Sequence, residues 1–199
     1  MIAALLAGLS RLISGASVRW VDCRPDARQR LYFANHTSHL DFVLIWSALP
    51  PEARVVTRPV AAREYWERGR WRKYFAGRVF NAILIDRKVS PHDNPVDRII
   101  NAMGDRHSVI LFPEGTRGSG AEIDSFKSGL YHICMRKPGL ELVPVYLENL
   151  NRILPKGEFL PVPLLSSVTF GPPTNLQAGE SKAAFLARTR AAVANLRRG

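Results

Sequence analysis

His36 and Asp41 stand five positions apart in NHTSHLD (35–41), between one apolar run ending at Ala34 and another resuming as FVLIW. An imidazole beside a carboxylate is a general base with its own orienting group. The carboxylate fixes the ring tautomer and stabilises the ring once it is protonated. The spacing admits such a pair if His36 closes a strand and Asp41 lies in the first turn of the following helix. Two other readings fit the same letters. Ser38 followed three residues later by Asp41 reads as a capping box with Asp in place of Glu, which accounts for both residues and leaves His36 unexplained. Cap and pair are compatible, because Asp41 has two oxygens. A metal site on His36, His39 and Asp41 lacks a fourth ligand, since no second cluster of Cys, His or carboxylates stands close by.

A second loop has the same placement. VILF (109–112) has the pattern of a buried strand and runs directly into Pro113-Glu114-Gly115-Thr116-Arg117-Gly118. A strand ending in a Gly-containing loop with an Arg is a natural anion site, because backbone N–H groups can approach the anion and a guanidinium can bind it with two bonds. A surface turn is the plainer reading of this loop taken alone. A third strand, Ile83 to Ile85, ends in Asp86-Arg87 and brings Arg87 toward the same end of a sheet.

These groups can meet only if their strands run side by side. Short β-type runs at Leu31–Ala34, Arg54–Val60, Ala82–Ile85, Ser108–Phe112, Leu142–Leu147 and Val168–Phe170 alternate with helical patterns, which predicts an α/β fold with a mixed, largely parallel sheet flanked by helices. In such sheets ligands collect beyond the carboxyl ends of the strands. The clearest helix starts near Pro95, capped by Asn94, with Val96, Ile99, Ile100 and Met103 on one stripe. Another places Phe185, Leu186, Thr189, Val193 and Leu196 on one face near the C-terminus.

The 199 residues, 46% hydrophobic and 23% charged, suit a single folded domain rather than a disordered chain. With 28 Lys and Arg against 17 Asp and Glu, the net charge of +11 favours anionic partners: nucleic acid, an anionic membrane surface, or phosphorylated and CoA-bearing substrates. Cys23 and Cys134 form no CxxC and suggest neither a disulfide framework nor a zinc site. Residues 54–88 are the most basic window, with Tyr65, Trp66, Trp71, Tyr74 and Phe75 set among the arginines. That mixture suits single-stranded bases, an anionic lipid surface, or a solvated helix face. At the N-terminus Ile2, Leu5, Leu6, Leu9, Leu12 and Ile13 recur at helical spacing, as in a helix lying in a membrane interface or packed on the core. The run is broken at Ser10 and Arg11, too soon for a spanning helix.

Four blocks together carry a resemblance. NHTSHLD (35–41), AILIDR (82–87), FPEGTR (112–117) and VPVYL (143–147) are similar, in order, to the four blocks of the glycerolipid acyltransferases, the family that includes the 1-acyl-glycerol-3-phosphate acyltransferases. Phe126-Lys127-Ser128-Gly129 also resembles a segment that follows the third block. The resemblance implies a glycerol-3-phosphate acyltransferase-like fold, with residues 1–30 as an amphipathic membrane-associating segment and 31–199 as the catalytic domain. It implies His36 as base and Asp41 as its orienting partner. Arg87, Glu114, Gly115, Thr116, Arg117 and Lys127 would bind the acceptor, with the arginines on its phosphate. Asn81 departs from the pattern, standing where many members have Gly, and Ala62-Arg63-Glu64 replaces a more usual Lys-containing stretch.

The expected reaction is O-acyl transfer to a lysophospholipid, most simply 1-acyl-glycerol 3-phosphate, from acyl-CoA or acyl-carrier protein as co-substrate, with no cofactor and no metal. Glycerol 3-phosphate or a lyso-aminolipid are alternative acceptors. Direct transfer is expected, because Ser38 is better used as a cap and both cysteines lie outside the blocks. The expected partners are the lipid acceptor, the thioester donor or its carrier protein, and an anionic membrane, with the protein peripheral or monotopic on its cytoplasmic face. A hydrolase using the same pair with water is one rival. A nucleic-acid-binding module on residues 54–88 is another, and it gives no reason for NHTSHLD or FPEGTR.

Overall fold

The computed structural model describes residues 17–38, 41–86, 94–148 and 166–198. The amphipathic pattern of residues 1–16 and both His39 and Arg87 lie outside these residues. Seven strands, β1 (Ser17–Trp20), β2 (Arg30–Ala34), β3 (Thr57–Ala62), β4 (Ile83–Ile85), β5 (Ser108–Leu111), β6 (Glu141–Glu148) and β7 (Ser167–Phe170), form one sheet in the order β1-β7-β6-β2-β5-β3-β4. Neighbours run parallel except β6 and β7, which are antiparallel.

β2 shows why the centre of the sheet was legible. Its run RLYFA is buried at every position. Leu31 and Phe33 belong to the apolar layer on one face, Tyr32 and Ala34 to the layer on the other. A strand covered on both faces reads as a continuous apolar run rather than an alternating one. Arg30 tolerates complete burial because its guanidinium is matched by the Glu141 and Asp26 carboxylates and the Arg24 carbonyl.

Two helices set the position of the site. α1 (Asp41–Ala48) follows β2 and packs its Phe42, Leu44, Ile45 and Trp46 on one face of the sheet. The chain leaving β5 reaches a helix at Gly129–Arg136, whose Leu130 and Ile133 pack on the opposite face. β2 and β5 are adjacent and parallel, yet their connections leave to opposite faces. The crevice between their carboxyl ends is a topological switch point, where open α/β sheets hold ligands.

Among the described residues the other helices are α2 (Pro51–Val56), α3 (Arg63–Trp66), α4 (Arg70–Tyr74) continuing into a π-helical turn (Phe75–Val79), α5 (Pro95–Met103), α6 (the Gly129–Arg136 helix) and α7 (Lys182–Asn195), which ends in a 3-10 turn (Leu196–Arg198). α5 begins as the sequence predicted, with Asn94 Oδ1 accepting from Val96 N at 2.9 Å and Ile99 and Met103 buried. α7 buries Phe185, Thr189 and Val193, and Ser181 Oγ accepts from Ala184 N at its start.

Two expectations are corrected. The strand expected at Arg54–Val60 is helical through Val56 and extended from Thr57 onward. Pro51 pre-sets the first helical turn, and Thr57 Oγ1 bonds the Ala53 carbonyl where the chain straightens. Residues 17–30 are not a separate segment: Ser17–Trp20 joins the sheet as the edge strand beside β7, and the Trp20 ring stacks on Phe170 at 3.8 Å.

Candidate active site

β2 ends at Ala34 and delivers Asn35 and His36 to the switch point. Asn35 holds the exit by acting as an extra ladder rung: its Nδ2 donates to the Leu147 carbonyl at 2.9 Å and its Oδ1 accepts from Leu147 N at 2.8 Å. One residue on, His36 Nδ1 lies 2.8 Å from Asp41 Oδ2. A carboxylate only accepts, so the ring proton sits on Nδ1 and Nε2 is left as the basic nitrogen. The same Oδ2 accepts from Thr37 N at 2.6 Å and Ser38 N at 3.0 Å, while the buried Oδ1 has no hydrogen-bond partner among the described residues. The Ser38 bond is the return arm of the predicted capping box. Cap and dyad are one object, on one oxygen.

The loop after β5 holds the histidine from the other side. Glu114 Oε1 accepts from His36 N at 2.7 Å, and Gly118 N donates to the His36 carbonyl at 2.8 Å. The Phe112 ring stacks on the imidazole at 4.3 Å between centroids. Glu114 Oε2 accepts from Asp124 N at 2.9 Å. The Glu114 carboxyl is therefore buried with both oxygens on backbone amides, and burial raises its pKa although those two bonds favour the anion. Glu114 was expected in the acceptor set, and its contacts make it a brace between the two loops.

The imidazole opens onto a cleft of about 810 Å³. Gly115, Arg117 and Lys127 line it beside His36, with Val60, Ile85, Leu111 and Ile133 supplying apolar wall. Gly115 has a φ of +71°, and a Cβ there would come within 2.7 Å of Lys127 Nζ, so glycine both makes the turn and admits the lysine. Lys127 N donates to the Pro113 carbonyl at 2.9 Å, which ties the FKSG segment to the loop. Thr116 is exposed and does not line the cleft. Asp86, at the end of β4, lines it and is paired with Arg63 at 3.0 Å.

Two participants, Asn35 and Phe112, carried no signal in the sequence beyond their place in the blocks. Asn81, which departs from a common Gly, has a φ of +47° and its carbonyl accepts from Arg58 Nε at 2.8 Å. Asn is among the few residues that tolerate this left-handed geometry, so the backbone conformation a Gly would allow is retained.

The chain is 28% identical to the 1-acyl-sn-glycerol-3-phosphate acyltransferase of Escherichia coli (strain K12), an alignment covering 67% of this chain and 57% of the relative. To the enzyme of that name from Limnanthes douglasii it is 27% identical, covering 86% of this chain and 59% of the relative. The chain thus spans somewhat more than half the length of these relatives. The crystal structure of the 1-acyl-sn-glycerophosphate acyltransferase from Thermotoga maritima superposes with a TM-score of 0.78 at 19% identity, covering 98% of this chain and 77% of that one, and shares the fold. A family model described as Acyltransferase matches residues 17–148, a span that contains the dyad, the FPEGTR loop and the sheet between them, and the chain belongs to that acyltransferase family.

Proposed function

We propose that the chain transfers a fatty acyl group from acyl-CoA or acyl-carrier protein to the free hydroxyl of a lysophospholipid, with 1-acyl-glycerol 3-phosphate as the acceptor and phosphatidic acid as the product. One observation carries the reading: a histidine whose Nδ1 is bound to a buried carboxylate, 19% exposed at the wall of the cleft that Arg117 and Lys127 also line. Nε2 takes the proton of the acceptor hydroxyl as its oxygen attacks the thioester carbonyl. Asp41 stabilises the imidazolium that forms. The tetrahedral intermediate collapses with cleavage of the C–S bond, and the proton on Nε2 passes to the departing thiolate. His36 thus ends the cycle as it began.

Arg117 and Lys127 are the phosphate-binding pair, since a charge-assisted bond to a phosphate oxygen is roughly twice as strong as a neutral one. Arg87 belongs to the same proposal by its place in the second block. The names of the relatives support this acceptor, and the apolar part of the cleft suits an acyl chain. A peripheral or monotopic seat on the cytoplasmic face of the membrane follows from a lipid acceptor and a water-soluble donor. Among the described residues no helix is long and apolar enough to cross a membrane.

The test uses labelled acyl-CoA and acyl-carrier protein with lysophosphatidate, glycerol 3-phosphate or a lyso-aminolipid, and mass spectrometry of the extracted lipids. Label should appear in phosphatidic acid, with little thioester consumed when the acceptor is left out. Equal release of free fatty acid with and without acceptor would identify a hydrolase instead.

A further inference from the structure

Between β3 and β4 the chain makes an excursion that the catalytic reading does not use. Its helical part, residues 70–79, is held from one side only: Ala76 is buried, and Phe75 and Val79 pack against the apolar layer around α1. On the other side Trp71 is 77% exposed and Tyr74 43%. Arg70, Lys73 and Arg78 are exposed around them and are paired with no carboxylate among the described residues. A large amphipathic ring in water among unpaired cations suits the headgroup region of an anionic bilayer.

We infer that residues 70–79 are a membrane-docking element that seats the mouth of the acyl-transfer cleft on an anionic lipid surface. Two observations favour lipid over nucleic acid. Stacking on single strands needs a succession of free aromatic faces. Here the Arg72 guanidinium already covers Tyr65 at 4.4 Å, Trp66 is engaged edge-on by Phe42 and Tyr65, and Tyr74 is set edge-on against Phe75, which among the described residues of this element leaves Trp71 as a lone platform. The position is the second observation: Tyr65, Trp66 and Arg68, just before the helix, line the cleft itself. A bilayer touching Trp71 therefore lies at the rim of the cleft, where a lipid acceptor would enter sideways. The element leads into β4, the edge strand on the side of the sheet opposite β1. The inference rests on the lipid-acceptor reading only for the choice of partner.

The experiment has two arms on the full chain. In the first, a nitroxide is attached to Trp71→Cys, the cysteines at 23 and 134 being buried. Adding vesicles of phosphatidylcholine with phosphatidylglycerol should shield the label from an aqueous nickel complex, and phosphatidylcholine alone should not. An unchanged accessibility overturns the proposal. In the second, Arg70→Gln/Lys73→Gln/Arg78→Gln should weaken vesicle partitioning roughly fivefold per basic side chain, about a hundredfold in all. Turnover on a short-chain, monomerically dissolved acceptor should stay at the parent level. Partitioning equal to the parent, or a loss confined to single-stranded oligonucleotide binding, overturns the proposal. A chain whose label is shielded but which acylates no lysophospholipid refutes the function and leaves the docking standing.

Discussion

The turn that carries His36 and the loop side that carries Arg117 and Lys127 face the same cleft and are built in opposite ways. At His36 the ring nitrogen, the backbone N–H, the carbonyl and the ring face each have a partner, drawn from α1, the FPEGTR loop and Phe112. Arg117 and Lys127 are exposed, and neither side-chain charge has a carboxylate partner among the described residues. The contrast follows from what each must do. A base misplaced by about 1 Å can cost roughly a hundredfold in rate, so its position is over-determined. A phosphate is held by charge over a wider range of geometry, and cations left unpaired spend nothing on breaking an earlier bond.

Breaking the fixed side should give the largest effect. In Asp41→Asn the amide oxygen should take the place of Oδ2, because that site faces three N–H donors. The tautomer is then kept and only the charge is lost. A charged hydrogen bond is worth up to about 3 kcal/mol, so kcat should fall roughly a hundredfold, measured at saturating acceptor. A fall nearer ten-thousandfold, the size seen where the Ser-His-Asp triad of serine proteases loses its tautomer, would mean the amide is reversed. On the adaptable side, Arg117→Ala should raise the acceptor KM by about tenfold and leave the thioester KM and kcat near the parent values. Equal effects on both substrates would remove Arg117 from the phosphate.

The smallest effect tests the brace between the two regions. Glu114→Gln keeps one good acceptor and loses the other, at a cost of roughly 1–3 kcal/mol in chemical denaturation. The pH dependence has a definite sign. Burial raises the folded pKa of Glu114, so the folded state holds more protons than the unfolded one between the two values. The contribution of this group to stability is complete below the unfolded pKa and is lost as pH rises through the folded one. The Gln variant should lack that decline.

The two regions also differ in how far they could be read in advance. β2 and β5 announced themselves because burial on both faces leaves an unbroken apolar run, and the dyad followed from a spacing that strand-turn-helix geometry turns into a contact. The bracing contacts of Glu114 were not legible, because they lie on amides 78 positions before it and 10 after it, which no local pattern encodes. β1 was missed since SVRW is a half-exposed edge strand without a continuous apolar run. α2 displaced the front of β3 because a proline at the first helical position outweighed the β-branched Val55 and Val56. Asn81 looked like a departure only while its φ was unknown.

The central claim is that Nε2 of His36 takes the acceptor proton. Single-turnover acyl transfer by His36→Ala, with the folded state checked by circular dichroism, measures it directly. The account predicts a rate lower by roughly 10²–10⁴-fold with acceptor binding retained. A folded variant that transfers the acyl group at near the parent rate would contradict it.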